Sequence, residues 1–198
     1  MYQDALSHFK KSDPILYSIA KRFEILDLEP KKVDLFFLSL VEEIVSQQLS
    51  IKVADIIFAR LINLNPEEPL TPEFILQTSD ETLRAVGLSY SKVKYIKDLS
   101  AKVSSGELDL GNLVNLSDQG VIDELIKVKG IGQWTAEMFL MFALGREDVF
   151  SFGDLGLKNG LKKLYQLDSP TNEELERLIE KWKPYRTYAA RILWRSLD

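Results

Sequence analysis

Apolar residues recur three and four positions apart along nearly the whole chain, and no other feature restricts its folding as strongly. Val93, Ile96, Leu99 and Val103 follow this spacing, as do Val121, Ile122, Leu125 and Ile126, and again Leu175, Leu178, Ile179 and Trp182. Such spacing stacks side chains on one face of an α-helix. The alternation of a half-buried strand is missing, although Val149-Phe150-Ser151-Phe152 suits a short extended run. Start signals agree with helices. Asp13-Pro14 and Thr71-Pro72 each set a capping residue before a first-turn proline, and Thr171 with Glu174 fits a capping box. The pattern predicts an all-α chain of roughly ten helices joined by short turns. Loops are expected at residues 63–69 and from Gly106 to Ser117. Two helical lobes follow, with a cleft between them: residues 30–130 form the central lobe, and 1–29 pack with 131–198 as the second.

Composition removes several functional classes. The 198 residues include no cysteine, which excludes disulfides, iron–sulfur clusters and thiolate zinc sites. A single histidine, His8, leaves no histidine metal cluster or triad, and it reads as an ordinary surface or half-buried residue. No apolar run approaches the ~18 residues of a membrane span, so no membrane partner is expected. The start, Met1-Tyr2-Gln3-Asp4, lacks the basic and apolar stretches of a secretory signal, and an intracellular location is expected. The net charge of −5 argues crudely against nucleic acid. It is a global sum, however, and local patches can carry the opposite sign. Lys127 and Lys129 flank one motif, Lys158, Lys162 and Lys163 cluster, and Arg186, Arg191 and Arg195 follow. Composition alone favours reading these as solvated helix faces.

The most informative stretch is Leu125 to Ala136, within a helix-hairpin-helix expected over about residues 118–145. A helix ends near Lys127. Gly130 and Gly132 then permit a tight turn with positive φ, and a new helix runs to about Leu144, with Gly145 as its stop. Amides of such a turn and of the first helical turn lack internal acceptors, and the positive end of the helix dipole lies there. A phosphate can dock on them without lysine or arginine, which an acidic protein tolerates. On the Gly-x-Gly spacing alone, a plain corner between helices is the favoured reading, and the helices directly before and after the turn, with Thr135-Ala136 set to pack closely, argue for function.

Four blocks extend the pattern: Asp13-Pro14-Ile15-Leu16; Ile44-Val45-Ser46-Gln47-Gln48-Leu49-Ser50; Val128 to Ala136 followed by Asp154-Leu155-Gly156-Leu157; and Trp182 to Ala190 ending in Leu193-Trp194. In this order they resemble the helix-hairpin-helix DNA glycosylases, and within them the 3-methyladenine DNA glycosylase II family. No N-terminal β domain of the kind some relatives carry fits before them. The resemblance implies a monofunctional glycosylase of base excision repair that flips an alkylated, cationic purine from damaged double-stranded DNA and hydrolyses its glycosidic bond. A monomer is expected.

Residue by residue, the resemblance makes Asp154 the catalytic carboxylate, although by itself it also reads as a helix N-cap. Gly153 stands where relatives often carry a second aspartate. Trp134 occupies the position where the lyase branch carries its Schiff-base lysine, so no lyase chemistry is expected. Trp134 and Trp194 are implied as walls of the base pocket, with Met138 and Leu155 at positions where some relatives place tyrosines; core packing is the alternative for either tryptophan. Trp182, Tyr185 and Tyr188 are assigned mainly to the core. Gln47, Gln48 and Leu49 supply the wedge, with Gln48 foremost, unless the glutamines merely cap a helix. DNA contacts are expected from Gly130, Ile131, Gly132, Gln133 and Thr135, with Lys129 and Lys92 on phosphates. Carbonyls of Ile126, Val128 and Ile131 are implied as ligands of a structural Na+ or K+, with no cofactor needed for catalysis. The rival readings are a non-catalytic helix-hairpin-helix DNA-binding module and an all-α protein-interaction scaffold.

Overall fold

The structure, a computed structural model, describes residues 2–67, 69–168 and 170–197. Met1 at the chain start and Glu68 of the loop expected at 63–69 lie outside the described residues. Regular structure among the described residues is entirely helical, comprising twelve α-helices and two short 3-10 turns. None of the helices is long and apolar enough to cross a membrane among the described residues. The chain divides into two compact units, residues 31–139 and residues 1–30 with 140–198.

The central unit holds α3 (Phe36–Ser46), α4 (Ile51–Ile62), α5 (Pro72–Gln77), α6 (Asp80–Ala85), α7 (Tyr90–Ser104), α8 (Asp118–Leu125) and most of α9 (Gln133–Phe142). The short turns Val33–Leu35 and Gly111–Asn115 lie here too, the second inside the loop expected from Gly106. α7 is the organising helix and packs against α3, α5 and α6. Its Val93, Ile96 and Leu99, spaced by three, are buried as the periodicity required. Thr71, Ser79, Ser89 and Ser117 each cap a helix by accepting from an amide three residues on. A cap contributes ~1 kcal/mol. α5 and α6 have six residues each. Helices this short are unstable alone and rely on packing, and they raise the helix number above the ten expected. Residues 131–139, expected with the second lobe, group with the central unit. Phe139 packs edge-on against Phe36, ring centroids 5.3 Å apart, which ties α9 to α3.

The other unit holds α1 (Tyr2–Ser12), α2 (Pro14–Ala20), α10 (Leu155–Tyr165), α11 (Asn172–Glu180) and α12 (Arg186–Arg195). α2 lies against α1, α10 and α12. Phe9, Leu16, Trp182, Tyr188 and Leu193 are fully buried, while Tyr185 is half-buried. Thr171 and Glu174 form the expected capping box. Asp13 caps α2, and its second carboxylate oxygen accepts from the Tyr165 hydroxyl (2.6 Å) and the Trp182 indole (2.9 Å). Residues 149–152 form no strand. The Val149 amide instead donates to the Thr187 hydroxyl at 3.0 Å, so a side chain from α12 satisfies backbone that a sheet partner would otherwise need to pair. His8 is half-buried and bonds the Lys181 carbonyl.

Candidate functional site

In the central unit, the hairpin between α8 and α9 is built on α7. Gly130 has φ of +83°, which favours glycine, and an added Cβ there would lie 2.1 Å from the Tyr95 ring. Gly132 differs: its φ is not positive, contrary to the expectation for both glycines, and no atom lies within 4 Å of where its Cβ would be. Nothing inside the protein requires glycine at that position. Among the described residues, the amides of Gly130, Gly132 and Gln133 meet no hydrogen-bond acceptor, whereas Ile131 donates to the Val128 carbonyl at 3.1 Å. These donors lie at the start of a ten-residue helix, where its dipole is positive.

The expected contacts around the hairpin divide into exposed, buried and internally paired residues. Gln133 is exposed, and its amide side chain donates to Glu137 at 2.9 Å. Ile131 and Thr135 are buried, so their side chains are packing groups. Lys129 is committed to α7. Its backbone amide donates to Asp98 at 3.0 Å, and its ammonium lies 2.9 Å from the same carboxylate. Burial opposes the charge on Asp98, but these Lys129 bonds, with Lys102 adding to them, hold its carboxyl below the usual value.

The turn between α3 and α4 carries Gln47, Gln48 and Leu49. Gln48 is exposed and left-handed, with φ of +57°, a conformation uncommon outside glycine. Gln47 faces inward. Its amide nitrogen donates to the Gly130 carbonyl (2.9 Å) and to the Thr135 hydroxyl (3.4 Å), joining the turn to the hairpin. Lys92 departs from its expected place on a phosphate: its ammonium donates to the carbonyls of Val45 (2.7 Å) and Gln47 (2.8 Å). Loss of hydration lowers its pKa. A polar cavity of about 400 Å³ opens between turn and hairpin, lined by Gln47, Gln48, Ser89, Ser91, Lys92, Tyr95 and Gly130. Trp134 is 40% exposed on the first turn of α9, and Met138, expected in a pocket, is buried at 4% because it lies one helical turn deeper.

In the other unit, Asp154 is the N-cap of α10 and keeps 9% of its surface. One carboxylate oxygen accepts both the Leu157 amide (2.7 Å) and the Trp194 indole N–H (3.1 Å). Gly156 makes this approach possible, since a Cβ there would come within 3.1 Å of that oxygen and 3.2 Å of the indole. Asp154 is thus a helix cap, and the same oxygen is held by the indole. Trp194 packs on Phe142, ring centroids 6.0 Å apart, and both line a cavity of about 410 Å³ with Glu24, Ile25, Leu26, Arg191 and Arg195. Leu155 is 71% exposed. Much of the late basic cluster is engaged internally: Arg186 forks onto Asp148, Arg191 donates to the Leu26 carbonyl, and Lys163 to that of Ser196. Sequence reading missed Tyr95, Asp98, Phe142 and Gly156. Tyr95 and Asp98 follow Lys92 at three-residue steps, a signal that was present but looked like an ordinary solvated face.

A helix-hairpin-helix with open amides, a glutamine turn tied to it, and an aspartate at the start of a helix are together the features of a repair fold. The chain belongs to the HhH-GPD superfamily of base excision DNA repair proteins, whose model matches residues 41–184. Among its relatives, DNA-3-methyladenine glycosylase 1 of Schizosaccharomyces pombe is 37% identical over 161 residues, 79% of this chain and 70% of that protein. The crystal structure of DNA-3-methyladenine glycosidase from Bacillus halodurans matches with a TM-score of 0.83 at 39% identity, covering 97% of this chain and 88% of the other. The Schizosaccharomyces pombe 3-methyladenine DNA glycosylase in complex with abasic DNA matches with a TM-score of 0.87 at 32% identity, covering 98% and 96%. The family inferred from the four sequence blocks is the one matched.

Proposed function

We propose that the protein is a monofunctional DNA glycosylase that binds damaged double-stranded DNA as a monomer and releases alkylated, cationic purines such as 3-methyladenine. The observation that carries this reading is Asp154, a nearly buried carboxylate held by two N–H donors at a helix start. The relatives named as DNA-3-methyladenine glycosylases support the same reaction.

The target bond lies inside a stacked duplex, so the base must be flipped out, at a cost of a few kcal/mol that falls at a damaged pair. The amides of Gly130, Gly132 and Gln133 receive a backbone phosphate. The bare face of Gly132 allows the strand to come close, which explains a glycine that internal packing does not demand. Gln48 enters the stack in place of the flipped nucleotide, and Leu49, 37% exposed, follows it.

Alkylation at a ring nitrogen gives the purine a positive charge. When the glycosidic bond breaks, its electron pair neutralises the base, which leaves without a strong general acid. Positive charge then grows on the sugar, where the Asp154 carboxylate stabilises it and orients the attacking water. The water oxygen bonds to the sugar carbon, and its proton passes to the carboxylate and on to solvent. The exposed Trp134 offers an aromatic face for a cationic base, worth ~0.5–2 kcal/mol, and the half-buried Trp194 is assigned the same role.

Trp134 has no amine to attack the sugar, and the hairpin lysines Lys127 and Lys129 are paired with Glu124 and Asp98. A Schiff-base intermediate and strand cleavage are therefore not expected. A structural Na+ or K+, implied by the family resemblance, fits the carbonyls of Ile126, Val128 and Ile131: these are hard, neutral oxygens, and among the described residues those of Ile126 and Ile131 accept no hydrogen bond.

Asp154→Asn keeps a good cap and an acceptor for Trp194 while removing the charge. It should abolish release of 3-methyladenine from a duplex yet leave binding to an abasic duplex within about threefold. Undiminished release by this variant would refute the assignment. A borohydride-trapped adduct with wild-type protein would refute the hydrolytic mechanism, and duplex binding without any release by the wild type would point to a non-catalytic binding module.

A further inference from the structure

Three side chains on one face of α7 reach both the turn and the hairpin that are assigned to DNA in the central unit. Lys92 donates to two carbonyls at the end of α3, Tyr95 fills the space that Gly130 leaves, and Asp98 holds the Lys129 amide. They stand three residues apart, on successive turns. Gln47 closes the circuit by bonding the far side of the hairpin at the Gly130 carbonyl. The carbonyls that Lys92 takes belong to a helix C-terminus, where intrahelical donors run out and a cation is favoured. They also lie just before the residue with a left-handed backbone, Gln48.

We propose that Lys92 is a positioning residue that latches the wedge turn at a set distance from the hairpin, so that gripping a phosphate and filling the vacated stack occur in one register. This rests on the glycosylase reading for its purpose, though not for the latch itself. Without the ammonium, the carbonyls of Val45 and Gln47 lose their shared donor, and Gln48 relaxes from its positive φ. The wedge then samples positions that do not meet the gap, while the phosphate grip at Gly130 and Gly132 stays intact. Unlike a phosphate-binding lysine, such a residue affects the step that unstacking makes difficult and leaves general affinity for DNA alone.

The test compares the wild type with Lys92→Met, which keeps the aliphatic stem, and Lys92→Arg, which keeps donors. In the free protein, amide exchange at Leu49, whose N–H donates to Ser46, should rise at least about tenfold in Lys92→Met while Ile131 in the hairpin stays unchanged. Bound to a duplex with 2-aminopurine opposite an abasic analogue, Lys92→Met should lose most of the wild-type fluorescence change at similar affinity. Release of 3-methyladenine from a paired site should fall by roughly tenfold or more, but by less than about twofold when the lesion is already unstacked in a bulge. Lys92→Arg should restore most of each signal. Unchanged exchange at Leu49 overturns the latch, and an equal loss of release from paired and bulged sites overturns the positioning role. If the wild type releases no base at all, the glycosylase reading fails while exchange and fluorescence still decide the latch.

Discussion

Gly130 and Gly132 stand two residues apart in the hairpin and do different work. Gly130 is dictated from within, by its φ of +83° and by the Tyr95 ring 2.1 Å from any Cβ. Gly132 meets nothing of the protein. Gly130→Ala should therefore lower stability by ~1–3 kcal/mol, through backbone strain and displacement of the ring. Gly132→Ala should change stability by less than ~0.5 kcal/mol but weaken binding to an abasic duplex severalfold, because the methyl intrudes where the strand approaches. Urea unfolding and fluorescence anisotropy on the two variants check this. A large loss of stability in Gly132→Ala, with binding intact, would reverse the assignment. Both glycines were legible in the sequence as parts of one turn. Their separate reasons were not, because Tyr95 is thirty-five residues from Gly130 in the chain.

Among the elements, the short helices were legible wherever their signals act within a single turn. Asp13-Pro14, Thr71-Pro72 and the Thr171–Glu174 box all cap as their spacing requires. Asp13 also does something no local pattern encodes. Its buried carboxylate gathers the Leu16 amide, the Tyr165 hydroxyl and the Trp182 indole, so it pins α2 to the end of α10 and to the turn after α11. Burial, together with the neighbouring Asp13 charge, pushes the Tyr165 hydroxyl far above its usual pKa, which keeps it a neutral donor. Asp13→Ala would strand two buried donors and remove a cap. The cost should be ~2–4 kcal/mol, and less than half of that for Asp13→Asn, which retains acceptors at the same place. Thermal and denaturant unfolding measure both. Equal losses in the two variants would mean that packing, not the bonded network, sets the value of the site.

For the whole molecule, the acidic balance has a consequence for stability. Burial raises the Glu43 carboxyl on α3 to about 7, the nearby Glu42 adds to the rise, and Lys31 opposes it. In the unfolded chain it titrates near 4.5. Between these values the folded protein binds the extra proton, so this group's contribution is full below the lower value and is lost as pH rises toward the upper one. Glu43→Gln should therefore gain on the wild type by ~1–3 kcal/mol between pH 4.5 and 7.5, read as the difference between their urea midpoints. A constant difference across that range would remove Glu43 from the account. By itself the sequence determined the helical class, most helix starts and the place of the hairpin, and the resemblance of its four blocks pointed to the family. The first three depend on spacings of two to four residues, over which backbone geometry alone decides what meets what. Tertiary structure alone decided which charges were already in use. Lys92 and Lys129 were expected on phosphates and Arg186 stood in a basic cluster, and each proved to be bound to a protein partner 31 to 47 residues away. A charge is visible in sequence at any separation, but whether it remains for a ligand depends on partners that only the folded chain brings within hydrogen-bond reach.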